Sequence, residues 1–227
     1  MREVIRARYR IAVVLGLGCG LRQGEVFGLS PADIDFERGV VHVRRQVQLL
    51  MGRLFFTLPK GGRTRVVDMP EAVAGELTDH FAEFPASEVT LPWGGPEPER
   101  KSRTFALILT TTYGNAVRAN SFNTQVWKPA LMAAGVIPKP AEGERWQGSR
   151  KDGFQMLRHI YASVILEAGE SVITLARWLG HSSPVTTLHY YAHFLPKAGA
   201  KGRCAINALF GWTSGESEPV PLAAERL

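Results

Sequence analysis

Apolar positions recur at two different periods along this chain, and the switch between them lays out its elements. Residues 3–20 carry a helical pattern that becomes mostly apolar, with Gly16, Gly18 and Gly20 loosening its end. A short helix over 22–29 follows, then turn chemistry at Ser30-Pro31-Ala32-Asp33. From Val41 the period drops to two: Val41, Val43, Val47 and Leu49 alternate with His42, Gln46 and Gln48, which predicts a strand. Turns at Met51-Gly52-Arg53 and Lys60-Gly61-Gly62-Arg63 separate it from strands at Leu54–Leu58 and Arg65–Met69, a small antiparallel meander. Pro70 suits the first turn of a helix reaching about Phe84. Residues 85–103, rich in Pro and Gly, read as a flexible loop, Phe105–Leu109 as a strand, Ser121–Ala134 as a helix and 138–153 as a polar loop.

The helical period is clearest after that. Phe154, Leu157, Ile160, Tyr161, Val164, Ile165 and Ala168 recur at steps of three and four, one apolar face of an amphipathic helix. Ser171 can cap the next helix, which ends at Gly180. Ser183-Pro184 opens a last helix running to about Phe194, and the chain from Ser214 on reads as a loose tail. The pattern predicts an α+β, mostly α-helical fold with a small antiparallel three-stranded sheet, in a domain over 1–213 with a tail over 214–227.

Composition adds little to the fold and more to the partner. Lys and Arg number 27 against 21 Asp and Glu, a net charge of +6 in 227 residues, which suits an anionic partner such as nucleic acid or a lipid surface, and equally a solvated basic surface with no partner. Arg2, Arg6, Arg8 and Arg10 before the apolar run Ile11–Leu21 imitate a secretory signal. The run is too short to span a bilayer, and Arg22-Gln23-Gly24-Glu25 follows in place of a small-residue cleavage site. With only Cys19 and Cys204, far apart, a reducing cytoplasmic compartment is the simplest reading, and a Cys19–Cys204 disulfide stays open.

Five segments carry residues suited to chemistry. In Gly20-Leu21-Arg22-Gln23-Gly24-Glu25, an arginine follows a glycine turn where a helix begins, with Glu25 one helical turn on to orient it. The bland alternative is a surface ion pair. Lys60 tips a glycine-rich turn, either a mobile proton donor or a solvated lysine. Gln155 and Arg158 share a helical face beside the apolar stripe, so Arg158 is partly buried and needs an anion, bound or internal. His181 sits in the connector after Gly180, placed to donate to an oxyanion or to meet the helix end. Tyr190 and Tyr191 stand near basic residues, as a phenolic nucleophile or as core aromatics. A rival reading takes His189 and His193, four apart, with His181 as zinc ligands, although no carboxylate accompanies them as in H-E-x-x-H.

Taken in order, these segments resemble the catalytic domain of the tyrosine recombinase (phage-type integrase) family. Gly20-Leu21-Arg22-Gln23-Gly24-Glu25 matches its Gly-Leu-Arg-x-x-Glu, and Pro59-Lys60-Gly61 ahead of Arg63 and Arg65 matches its hairpin lysine. Gln155-Met156-Leu157-Arg158-His159 matches His-x-x-Arg-His in part, Leu179–Ser183 matches Leu-Gly-His-Ser-Ser, and Thr186, Thr187, Tyr191 and His193 match the nucleophile segment. The resemblance covers about residues 11–195 and implies site-specific cleavage and rejoining of double-stranded DNA through a 3′-phosphotyrosyl bond. It implies Tyr191, or less favourably Tyr190, as nucleophile. Arg22 and Arg158 would clamp the phosphate, Lys60 would protonate the leaving oxygen, and His181 would hydrogen-bond the phosphate. Glu25 would support Arg22, and Arg63, Arg65 and His159 would meet DNA. No metal or other cofactor and no membrane are implied, nor is any nucleotide, since the phosphodiester energy is conserved. The expected setting is the nucleoid, with a monomer when free and a homotetramer on DNA.

Three departures qualify the match. Gln155 stands where the family has His, and glutamine can hydrogen-bond but not carry a proton near neutral pH. Tyr190 lies nine residues after His181 and Tyr191 ten, both spacings the family uses; the Tyr-x-His pairing with His193 favours Tyr191. Only a short helix precedes Arg22, where the family usually has a DNA-clamping domain, so DNA affinity is expected to be weak and salt-dependent. Gln155 and that missing clamp motivate an alternative, a non-catalytic DNA-binding remnant. The apolar stretch Ala205–Trp212 is read either as a docking segment for a neighbouring copy or as packed on its own domain.

Overall fold

The computed structural model describes residues 3–144, 146, 149, 151–192, 206 and 209. Helix α1 (Ala7–Gly18) runs through the centre, with Ile11, Ala12, Val13, Leu15 and Gly16 buried. Its glycines are contact surface rather than a loosened end. A Cβ on Gly16 would fall 2.8 Å from Leu157 Cδ1, and one on Gly18 would fall 2.3 Å from Val73 Cγ2. Helices on both sides therefore approach α1 closely because these positions lack a side chain. Gly20, at φ 60°, makes the turn into helix α2 (Gln23–Phe27).

The expected strand over 41–49 splits. Strand β1 (Ile34–Asp35), strand β2 (Val40–Val43) and, later, strand β5 (Arg65–Asp68) form a three-stranded antiparallel sheet in the order β1-β2-β5. Strand β3 (Gln46–Leu50) pairs instead with β4 (Arg53–Thr57) in a hairpin of its own. The break falls at Arg44-Arg45. There Arg45 turns inward, donating to both Asp33 oxygens at 2.5 and 3.1 Å and to the Gly28 carbonyl at 3.1 Å, with its guanidinium 4.1 Å from the Phe105 ring centroid. A buried carboxylate recruiting its cation outweighs strand continuity.

Helix α3 (Glu71–Glu83) starts after Pro70 and packs on α1. The Pro- and Gly-rich stretch read as a loop holds a hairpin, β6 (Ser87–Pro92) with β7 (Ser102–Leu107). Its prolines 96 and 98 are confined to the connection, and Thr90 and Thr104 hydroxyls bond across the strands at 2.7 Å. The helix expected over 121–134 runs as α4 (Ala119–Phe122), a π-helical turn (Asn123–Trp127) and α5 (Lys128–Ala133). Pro129 has no N–H to donate one turn back, and the wider turn accommodates that loss. It also lets the Trp127 indole donate to the Asp152 carbonyl at 2.7 Å.

Helices α6 (Gln155–Glu167), α7 (Val172–Leu179) and α8 (Pro184–Tyr191) follow the sequence expectation within a residue or two at the ends described. The Ser171 side chain accepts the Thr174 N–H at 3.0 Å, and Gly180 ends α7 at φ 63°. The core divides. A large cluster joins α1, the sheet and α4–α5 around Phe27, Phe56, Phe122, Trp127 and Phe154. A small one holds Tyr161, Ala162, Leu166, Leu175, Leu179 and Tyr191 between α6, α7 and α8. The α+β, mostly helical architecture expected from the pattern is the one observed. Cys19 is a buried free thiol. Among the described residues no helix is long and apolar enough to cross a membrane. Cys204, His193, the domain boundary at 213/214, and Ala205–Trp212 apart from exposed Ile206 and Leu209 lie outside the described residues.

Candidate active site

The chemistry-bearing segments meet at one cleft of about 760 Å³, lined by Arg22, Lys60, Gln155, Arg158, His159, His181, Tyr190 and Tyr191 among others. They arrive from separate elements. Arg22 precedes α2, Lys60 stands on the turn after β4, Gln155, Arg158 and His159 lie along the first turns of α6, His181 follows α7, and the tyrosines close α8.

Behind the cleft lies a carboxylate that organises three elements. Glu25 is fully buried. It accepts the Arg22 backbone N–H at 2.8 Å and Arg22 Nη1 at 3.0 Å. It also accepts a fork from Arg65, Nη1 to Oε1 at 2.7 Å and Nη2 to Oε2 at 2.6 Å. Burial alone would raise the Glu25 carboxyl, but the hydrogen bonds and charge of Arg65 and the charge of Arg22 override it and hold it at about 2. Arg65 spends its remaining Nε–H on the Trp178 carbonyl at 2.6 Å. It therefore ties β5 and α2 to the end of α7; the family resemblance implies Arg65 meeting DNA, and here its side chain is buried on Glu25 and the Trp178 carbonyl. A Cβ on Gly180 would fall 3.0 Å from Arg65 Cδ, so glycine there serves the strut as well as the left-handed turn. Sequence reasoning saw the Arg22–Glu25 pair, but a partner 40 residues away left no local signal. Arg63 is exposed in the connection between β4 and β5.

Arg158 is 1% exposed. Its Nη1 donates to the Gly20 carbonyl at 2.7 Å, its Nη2 donates to the Leu179 carbonyl, and that Nη2 lies 3.5 Å from His181 Nε2. These are neutral partners, so the internal salt bridge weighed for Arg158 is not among the described contacts. Burial, with Arg22 nearby, lowers the guanidinium to about 9, an environment that an anion entering the cleft would relieve. His181 is held on its other side, Nδ1 to Thr187 Oγ1 at 2.8 Å, with Thr187 buried. Burial and the charges of Arg158, Arg22 and Arg65 lower His181 to about 4, so its ring is neutral at physiological pH. The Thr187 role was not read from the sequence, although Thr186-Thr187 stood in the motif.

The tyrosines separate cleanly. Tyr191 is 4% exposed and Tyr190 58%, one residue apart being about 100° around a helix. Tyr191 Oη and His159 Nδ1 are 2.5 Å apart, so His159, expected from the sequence to meet DNA, contacts Tyr191. Burial raises the Tyr191 phenol, with the Arg158 and Arg22 charges opposing. Burial and Arg158 lower His159. Lys60 and Gln155 are exposed within the cleft lining. For the rival zinc reading, His189 is exposed with its ring 5.2 Å from Tyr190, and no group of three or more His, Cys, Asp or Glu among the described residues is arranged to hold a metal ion.

Three converging cations and a buried tyrosine hydroxyl suit a phosphate and a nucleophile, and comparison with known proteins agrees with that class. A model of the phage integrase family matches residues 2–197, and the chain belongs to that family. It is 29% identical over 221 residues to a "Tyrosine recombinase XerC-like" of Caldanaerobacter subterraneus subsp. tengcongensis, covering 92% of this chain and 52% of that protein. A "Tyrosine recombinase XerD" of Mycobacterium tuberculosis is 30% identical over 184 residues, 81% of this chain and 47% of that one. The chain thus spans about half the length of such relatives. The fold matches the Tn1549 transposon integrase in complex with circular intermediate DNA (TM-score 0.64, 20% identity, 88% of this chain and 59% of that one). It also matches the catalytic domain of bacteriophage HP1 integrase (TM-score 0.51, 18% identity, 90% and 85%).

Proposed function

We propose that this chain is the catalytic domain of a site-specific DNA recombinase or integrase that cleaves and rejoins double-stranded DNA through a 3′-phosphotyrosyl intermediate. The observation that carries the reading is the convergence of Arg22, Arg158, His181 and Tyr191 on one cleft with Lys60 in its lining. Tyr191 Oη attacks the scissile phosphorus, and the bond from phosphorus to O5′ breaks. Arg22 and Arg158 hold the non-bridging oxygens and stabilise the charge that builds on them, an arrangement fixed before the substrate arrives by Glu25 and the two carbonyls. His181, neutral and held by Thr187, hydrogen-bonds the phosphate. Lys60 protonates O5′. Rejoining runs the same steps backwards. A homotetramer on paired DNA sites, monomeric when free and working in the nucleoid, is the assembly this reading carries.

The test is covalent trapping from a randomised library of nicked duplexes, with Tyr191→Phe and Tyr190→Phe beside the wild type. A protein–DNA adduct on denaturing gels, lost only in Tyr191→Phe, is expected. Loss only in Tyr190→Phe would move the nucleophile. Salt-sensitive DNA binding with no adduct in any variant would favour the non-catalytic reading that Gln155 suggests.

A further inference from the structure

The cleft has a proton donor on the leaving-group side and, at the usual histidine position, a glutamine that cannot take a proton. It also contains an imidazole already bonded to the nucleophile. We propose that His159 is the base for Tyr191: its Nδ1 accepts the phenolic proton as Oη attacks phosphorus, and returns that proton when Oη leaves on rejoining. This rests on the strand-cleavage reading above.

The geometry is direct. Tyr191 Oη and His159 Nδ1 are 2.5 Å apart, their ring centroids 5.6 Å apart and inclined at 48°. The phenol is the donor when the imidazole carries its proton on Nε2, and no other described hydrogen bond reaches the Tyr191 hydroxyl. The pair is built by the fold: α6 presents His159 and α8 presents Tyr191, and α7 packs with both. Tyr191 belongs to the small core cluster, so its hydroxyl is held in place, whereas His159 is exposed in the cleft lining. Charged or titratable groups around the pair are Arg158 on α6, His181 after α7, Tyr190 on α8, and Arg22 and Lys60 in the same cleft lining. The neighbouring guanidiniums disfavour a lasting imidazolium and favour the phenolate character that attack needs.

The step balances. The Oη–H bond breaks and the proton passes to Nδ1, the phosphorus–Oη bond forms, the phosphorus–O5′ bond breaks, and Lys60 gives its proton to O5′. At the end His159 is imidazolium, Lys60 is an amine, and the reverse reaction restores both. Gln155 is then free to act as a hydrogen-bonding residue only.

The experiment compares His159→Ala, His159→Asn and Lys60→Ala on two nicked substrates captured from the library, one ordinary and one with sulfur replacing O5′ at the scissile position. Sulfur leaves as a thiolate and needs no proton, so it rescues a missing acid but not a missing base. The expected result is adduct formation slowed ~100-fold or more in both His159 variants on both substrates, with Lys60→Ala rescued by sulfur. His159→Asn keeps a hydrogen-bond acceptor without a titratable nitrogen, so a wild-type rate there would reduce His159 to positioning and overturn the proposal. Rescue of the His159 variants by sulfur, or full activity in His159→Ala, would overturn it too. Imidazole nitrogen NMR of the free protein adds a readout that needs no DNA. The His159 Nδ1 signal should shift in Tyr191→Phe, and an unchanged signal counts against the pair. If wild type forms no adduct while that signal does shift, the strand-cleavage reading has failed and the hydrogen bond stands without a catalytic role.

Discussion

Glu25→Gln is the substitution that most directly probes how the cleft is held together. The side chain keeps its shape and loses its charge, leaving Arg65 and Arg22 without their shared carboxylate in a fully buried setting. The magnitude follows from the carboxyl's own titration. A group held at about 2 when folded and near 4.5 when unfolded contributes about 3 kcal/mol at neutral pH. Removing one partner from a buried ion pair costs ~3–5 kcal/mol by general experience, in agreement. At this chain length that is a fall in Tm of roughly 6–12 °C. The sign of the pH dependence is set by the lowered value. The stabilisation is complete above about 4.5 and is lost as pH falls through about 2, so the gap between wild type and variant should shrink to about half or less by pH 3. The assay is thermal unfolding of both proteins at pH 7 and pH 3, with Arg65→Gln and the double variant completing a cycle. The double variant should cost less than the two singles together by more than ~1 kcal/mol. Equal Tm values at pH 7, a gap that ignores pH, or strict additivity would each refute the account of Glu25 as the common anchor of α2 and β5.

Thr187→Val removes the hydroxyl that holds His181 Nδ1 and should slow adduct formation about 10-fold, one hydrogen bond's worth, while DNA affinity in a binding titration stays nearly unchanged. Gly24→Ala would set a Cβ 2.7 Å from the Val47 carbonyl oxygen, where backbone must move, and should cost ~1–3 kcal/mol by chemical denaturation. His181 is lowered to about 4, so its ring-proton NMR shifts should stay flat from pH 8 to 6 and move only below about 5. The stability it contributes is present above its ordinary 6.5 and is lost as pH falls toward 4.

What the chain reveals about itself depends on the range of each interaction. Helix α6 was legible almost to the residue because its apolar stripe repeats locally, and α7 because a capping serine and a terminal glycine bracket it. The strand over 41–49 was legible as extended chain but not as two strands, since its break is imposed by Asp33 reaching Arg45 from outside the strand. The β6–β7 hairpin was hidden by prolines that lie in its turn and at its end. In the site, the motif residues could be named in order. Their supports could not, because Arg65 answers to Glu25 and Trp178, and Arg158 to carbonyls at positions 20 and 179, contacts spanning 21 to 138 residues. Backbone carbonyls carry no sequence identity, so a buried arginine announces that it needs partners without saying which.

That same distinction bears on Gln155. At the sequence level the substitution looks like the loss of a proton carrier from a site that needs one, and it points toward an inactive remnant. In the folded chain Gln155 is an exposed residue at the first turn of α6, whereas the Tyr191 hydroxyl meets His159, one helical turn further along α6. Arg22 and Arg158 do not depend on Gln155 either, since Arg22 is set by Glu25 and Arg158 by the Gly20 and Leu179 carbonyls. A departure at position 155 therefore removes a group from the wall of the cleft without disturbing Arg22, Arg158 or Tyr191. Gln155→His should accordingly change the rate of adduct formation less than His159→Ala does, and a larger gain from Gln155→His than loss from His159→Ala would return the proton-carrying role to position 155.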